Sequence, residues 1–123
     1  MTGTSRRRRR TFAAKADRIE SGAFMIVEVG GRSVGLIRLG DRIVAVRNIC
    51  PHAYGPICRG QVTGTTLPGE PGQYEWGREG EILVCPWHGW EFDLNTGRAL
   101  ADATRHLSFL PVEVEGEDVY VAA

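Results

Sequence analysis

Two short stretches gather side chains that bind metals: Cys50-Pro51-His52 and Cys85-Pro86-Trp87-His88. The spacings are C-x-H and C-x-x-H, so each stretch sets a thiolate and an imidazole close enough to converge on one centre. Thiolates are soft anionic ligands suited to iron–sulfur clusters, and neutral imidazole also binds iron. Two Cys with two His would equally satisfy a structural zinc ion. Ligand type alone leaves both chemistries open.

The surrounding residues narrow the choice. Cys85 opens the run Cys-Pro-Trp-His-Gly-Trp-Glu-Phe-Asp over residues 85–93. With Cys50-Pro51-His52 ahead of it, the chain resembles the Rieske iron–sulfur proteins, from about residue 16 to residue 121. Soluble Rieske ferredoxins and the Rieske domains of ring-hydroxylating oxygenases carry such a run. In that family two Cys hold one iron of a [2Fe–2S] cluster and two His hold the other. The resemblance implies one cluster per chain, with Cys50 and Cys85 on the inner iron. It places His52 and His88 on the outer iron, near the surface where an electron could leave. Exchanging two thiolates for two imidazoles removes two negative charges, so an electron is added more easily than in an all-cysteine cluster.

The same comparison carries further expectations. Respiratory bc-type Rieske proteins have an extra cysteine beside each half-motif, and the two form a disulfide between the ligand loops. Trp87 follows Pro86 here, so that bridge is not expected. Cys58, the third cysteine, reads as a small buried apolar residue, and an unbridged set of three suits a reducing, cytoplasmic setting. High-potential members read Gly-Ser-x-Tyr after the second His, with both hydroxyls donating to sulfur. Trp90 and Phe92 stand at the matching positions, which implies a low potential within the family's range. Trp87, Trp90 and Phe92 are expected to cover the cluster and limit water access.

His106 bears on activity. Rieske oxygenases use a second, mononuclear iron held by two histidines and a carboxylate. With His52 and His88 assigned, one histidine of three is left, so no such catalytic site is expected. His106 itself reads as a surface or strand-end residue. The resemblance therefore implies an electron carrier and not an enzyme: a Rieske-type ferredoxin, a monomer passing single electrons from a flavoprotein reductase to a terminal non-heme iron oxygenase. The alternative is a small Rieske subunit of a larger reductase, such as assimilatory nitrite reductase.

The chain that must position these residues has 123 of them, enough for one domain with a modest core. Its 16 glycines suit short strands and tight turns. Residues 24–29 are rich in β-formers and end at Gly30-Gly31, a hairpin signal. Residues 33–39 and 43–46 continue a meander, with Gly40-Asp41 reversing the chain between them. Residues 64–72 are rich in Gly and Pro and read as an irregular loop. Residues 73–76 read as a short strand, 77–80 as a turn, 82–84 as the strand feeding Cys85, and 93–97 as another turn. Residues 107–114 and 118–121 form a closing hairpin, in which Pro111 calls for an edge or a bulge. The fold class is all-β, antiparallel sheets supporting a tip made of the two ligand loops.

Charge is uneven. The 15 basic and 15 acidic side chains balance, but Arg6, Arg7, Arg8, Arg9 and Arg10 are consecutive. Without those five, ten basic side chains face fifteen acidic ones, a net charge of minus five. The run reads as a solvated tail over residues 1–15, ahead of a Rieske domain over 16–123. A twin-arginine export signal needs an apolar stretch next, and Lys15, Asp17, Arg18 and Glu20 break it. No segment approaches transmembrane length. Neither nucleic acid nor membrane is an expected partner.

Overall fold

Among the described residues, short runs of β-branched and aromatic residues separated by glycine turns fold into ten strands. The computed structural model describes residues 10–51, 55–67, 75–87, 89–102 and 104–122. Among them, helix is limited to two single 3-10 turns, Ala16–Arg18 and Ile57–Arg59. Three antiparallel sheets result. The first contains β1 (Arg10–Lys15), β10 (Asp118–Ala122) and β9 (Val112–Glu115), in that order. The second runs β2 (Met25–Val29), β3 (Arg32–Leu39), β4 (Arg42–Arg47), β8 (Phe109–Leu110). The third runs β5 (Gln61–Leu67), β6 (Glu75–Val84), β7 (Glu91–Asp93).

The second sheet lies between two cores because its central strands are apolar on both faces. Val34, Leu36 and Ala45 point to one side, where Ala14, Ile19, Leu110, Val119 and Val121 complete a core with the first sheet. Ile37, Val44 and Val46 point to the other. There they meet Leu83 and Phe92 of the third sheet together with Cys50, Cys58 and Cys85. Strand alternation thus gives the cysteines a core of their own.

The meander appears as expected, with Gly30, Gly31 and Gly40 at positive φ in its turns. Three readings need correction. Residues 10–15 are strand β1 and not tail, so the sheet structure begins ahead of residue 16. Pairing with β10 decides this: Ala14 is buried, and the Arg10 guanidinium contacts Glu113 and Glu115 while lying 4.2 Å from the Tyr120 ring centroid. Glu115 is therefore paired, and that pairing holds its carboxyl below the usual carboxylate range. Residues 1–9, with the rest of the arginine run, lie outside the described residues.

The second correction concerns the long insertion. Gly64, Thr65, Thr66 and Leu67 belong to β5, and residues 77–80 belong to β6. Threonine favours strands, and among the described residues the expected irregularity is a bulge; residues 68–74 lie outside them. The register jumps from Thr63 opposite Ile82 to Thr65 opposite Gly77. The third is at Pro111, where the closing strand changes sheets: β8 pairs with β4, while β9 pairs with β10. A residue with no N–H fits where a strand leaves one ladder for another. Its carbonyl still accepts from Ala122 N at 3.0 Å.

Candidate metal centre

The first ligand loop leaves β4 through Asn48. Its backbone N–H donates to Ser33 O and its side-chain amide donates to Ser33 Oγ, each at 3.0 Å. Its Oδ1 accepts from Cys58 N at 2.8 Å. One side chain thereby fastens the approach to Cys50 onto β3 and onto the 3-10 turn beyond. Cys50 N then donates to Gly55 O at 2.7 Å, tying the two ends of the first loop together.

The second loop repeats the device. Cys85 N donates to Trp90 O at 2.8 Å, and Gly89 N returns to Cys85 O at 3.0 Å. Buried amides need partners, and here those partners bring Gly55 back to Cys50 and Gly89 and Trp90 back to Cys85. Gly89 has a φ of 73°, in keeping with its expected tight turn. His52 and His88 themselves lie outside the described residues. Consistent with that, no group of three or more His, Cys, Asp or Glu side chains converges among the described residues.

Cys50 and Cys85 are 0% and 1% exposed, unbridged, and part of the same core. Two buried thiols beside two histidine-bearing loops match the donor set of a mixed-ligand [2Fe–2S] group. Cys58, as expected, is a buried packing residue. Burial pushes its thiol up to about 12, with a backbone hydrogen bond from Gly35 opposing.

The aromatic residues divide the work of covering this core. Phe92 is wholly buried and stacks with the half-buried Trp90, ring centroids 6.4 Å apart and planes 27° from parallel. Trp87 is 57% exposed and does not cover this core as expected, whereas Phe92 and Trp90 pack into it. Its ring nevertheless crosses to the first loop. A Cβ added at Gly55 would lie 2.7 Å from Trp87 Cδ2, so glycine there is what lets the loops meet.

A third loop, residues 98–106, flanks both. It is pinned by bridges from Phe92 to Ala99 and from Arg98 to His106, the latter exposed as expected. From it Arg105 Nη1 donates to Pro51 O at 3.2 Å, and its guanidinium lies 5.8 Å from the Trp90 ring centroid. Sequence reasoning missed Arg105 and Asn48, since neither lies in a motif and their partners are distant in the chain.

The pattern of buried cysteines and closed loops agrees with comparison to known proteins: the Rieske [2Fe-2S] domain family matches residues 9–111. The chain belongs to that family. It is 30% identical to the ferredoxin component of a naphthalene 1,2-dioxygenase system from Pseudomonas aeruginosa, over 84% of this chain and 85% of that one. A ferredoxin–oxygenase complex of carbazole 1,9a-dioxygenase is similar in structure, with a TM-score of 0.69 and 25% identity over 94% of each chain. A Mycobacterium tuberculosis protein assigned as an NADH-dependent nitrite reductase small subunit shares the fold. Its TM-score is 0.70 at 24% identity, covering 95% of this chain and 96% of that one. The cofactor of this Rieske chain is one [2Fe–2S] cluster, and its function is one-electron transfer. Among the described residues no helix is long and apolar enough to cross a membrane.

Proposed function

We propose that Cys50, His52, Cys85 and His88 together hold the cluster, and that the chain is the ferredoxin component of an oxygenase system. On this reading it takes single electrons from a flavoprotein reductase and delivers them to a terminal non-heme iron oxygenase. The observation that carries the ligand assignment is the shared core of Cys50 and Cys85, beneath loops closed by each cysteine's own amide. A [2Fe–2S] group held there supplies one-electron redox chemistry. The protein's part is to fix the ligand loops, keep the thiol side dry through Phe92 and Trp90, and leave the histidine side of both loops toward a partner. The partner assignment draws on relatives that are ferredoxin components of such systems. The nitrite reductase reading has a fold likeness behind it.

The chain by itself performs no oxygenation in this proposal, acts as a cytoplasmic monomer, and has its Rieske domain starting at β1. Iron and sulfide analysis of the purified chain is expected to give two of each, with a mixed-ligand electron paramagnetic resonance signal on reduction. Cys85→Ser and His88→Ala are each expected to abolish that signal. One zinc and no labile sulfide would overturn the ligand assignment. Stable co-purification with a large catalytic chain would overturn the shuttle.

A further inference from the structure

Nothing covalent joins the two ligand loops, since Trp87 occupies the place where a second-loop cysteine would be needed. Arg105 spans them instead. Pro51, whose carbonyl it grips, lies between Cys50 and His52. Trp90, whose ring it approaches, supplies the carbonyl that receives the Cys85 amide. We propose that Arg105 is a positioning residue of the metal centre: it ties the first ligand loop to the second and holds one positive charge beside both, favouring the reduced state.

The Arg105 side chain is 46% exposed, with its guanidinium held between the Pro51 carbonyl and the Trp90 ring. Arg105 is fixed through its own backbone, its N–H donating to Asp102 O at 3.0 Å and its carbonyl accepting from Ala99 N at 2.9 Å. The planar guanidinium can bond a carbonyl at one edge and stack on an indole with its face, which an ammonium cannot do. Among the described residues its charge is only loosely compensated. Asp102 Oδ2 is 3.9 Å from Nε, while Asp102 Oδ1 is committed to the N–H and hydroxyl of Thr104 at 3.0 and 2.6 Å. Adding an electron makes the neighbouring centre more negative, so a fixed cation stabilises the product of reduction more than the reactant.

The inference rests on the four-ligand reading, and one experiment separates the two. Wild type, Arg105→Gln, Arg105→Lys and Lys15→Gln are prepared as the full chain with cluster, and their potentials measured by protein-film voltammetry at low and high salt. Lys15, on β1, faces Asp118 and provides the same change of net charge in the first sheet, away from the loop that carries Arg105. Arg105→Gln is expected to shift the reduction equilibrium about tenfold toward the oxidised form, about 59 mV for one electron, with the gap narrowing as salt rises. Arg105→Lys is expected to restore most of the potential while losing cluster faster than wild type on incubation with chelator. Lys15→Gln is expected to change the equilibrium less than twofold. A fully loaded Arg105→Gln chain within twofold of wild type, or matched by Lys15→Gln, overturns the role of Arg105 alone. Wild type lacking two irons and two sulfides overturns the ligand reading and this inference with it.

Discussion

Gly60 sits where the end of the first ligand region meets the strand that delivers Cys85, and replacing it with alanine tests how tightly that junction is built. Its φ of −74° and ψ of 176° suit any residue, so the cost is purely steric. An added Cβ would lie 1.9 Å from Val84 O, 3.0 Å from Val84 C and 3.1 Å from Ile57 O, all backbone atoms that cannot rotate away. A carbon–oxygen contact relaxes at about 3.3 Å, so the segments must part by about 1.4 Å. That movement opens the pairing of Gln61 with Val84, next to Cys85. Overpacking of this kind costs about 1–3 kcal/mol, and a broken ladder hydrogen bond about 1 kcal/mol more. A total of about 3 kcal/mol corresponds to a fall in Tm of roughly 12 °C for a domain of this size. The assay is thermal unfolding of cluster-loaded protein at one scan rate, followed by circular dichroism and by the visible absorbance of the cluster. Both transitions are expected to move down together. Gly116→Asn is the control: nothing lies within 4 Å of its Cβ position, and asparagine tolerates its φ of 62°. Gly60→Ala with a wild-type Tm would refute the steric argument.

Other expectations are simpler to check. The Cys58 thiol is raised from 9.0 to about 12 by burial, so the folded state binds this proton more tightly than the unfolded state. Its contribution to stability is intact below about pH 9 and is lost as pH climbs toward 12; Cys58→Ala should flatten the alkaline side of a urea stability profile. Deleting residues 2–9 should leave Tm unchanged, whereas deleting 2–15 removes β1 and buried Ala14 and should lower it by several degrees. Wild type should have a potential near the low end of the family range, about −150 mV. Trp90→Ser with Phe92→Tyr should raise it, because a donated hydrogen bond favours the more negative state; voltammetry on the folded double variant showing no rise would remove that explanation. The same variant should be less stable by about 1–3 kcal/mol if the new hydroxyl at wholly buried Phe92 finds no partner.

The legible parts of this protein are those whose cause is local. Cys50 and Cys85 stand out because ligand chemistry requires particular atoms at short spacing, and both prove to share a core. The β2–β3 hairpin is readable from Gly30-Gly31 because the turn's backbone demands it, and Pro111 announces an interruption because it lacks a donor. Strand β1 gave no such sign. Thr11 and Phe12 are β-formers, but six residues starting at the end of an arginine run show no clear strand signal, and what orders them is β10, more than a hundred residues downstream. The β5–β6 bulge was visible only as excess glycine, since whether such residues make a loop or a distorted ladder depends on the partner strand. Arg105 is the plainest case: its neighbours in sequence are a threonine and a histidine, while its contacts at Pro51 and Trp90 are set entirely by where the third loop comes to rest.

The pairing of Arg10 with Ala122 has a practical corollary for anyone wishing to attach this domain to something else. The first and last described residues lie on adjacent strands of a single sheet, one whose buried side packs on the core that contains none of the cysteines. A reductase grafted at either end, or a tag anchoring the domain to an electrode, would pull on β1 and β10 and leave the cysteine core undisturbed. The two anchoring points are also interchangeable: a short linker joining residues 10 and 122 would close the chain into a circle, freeing new ends to be cut at the exposed Glu115-Gly116-Glu117 turn.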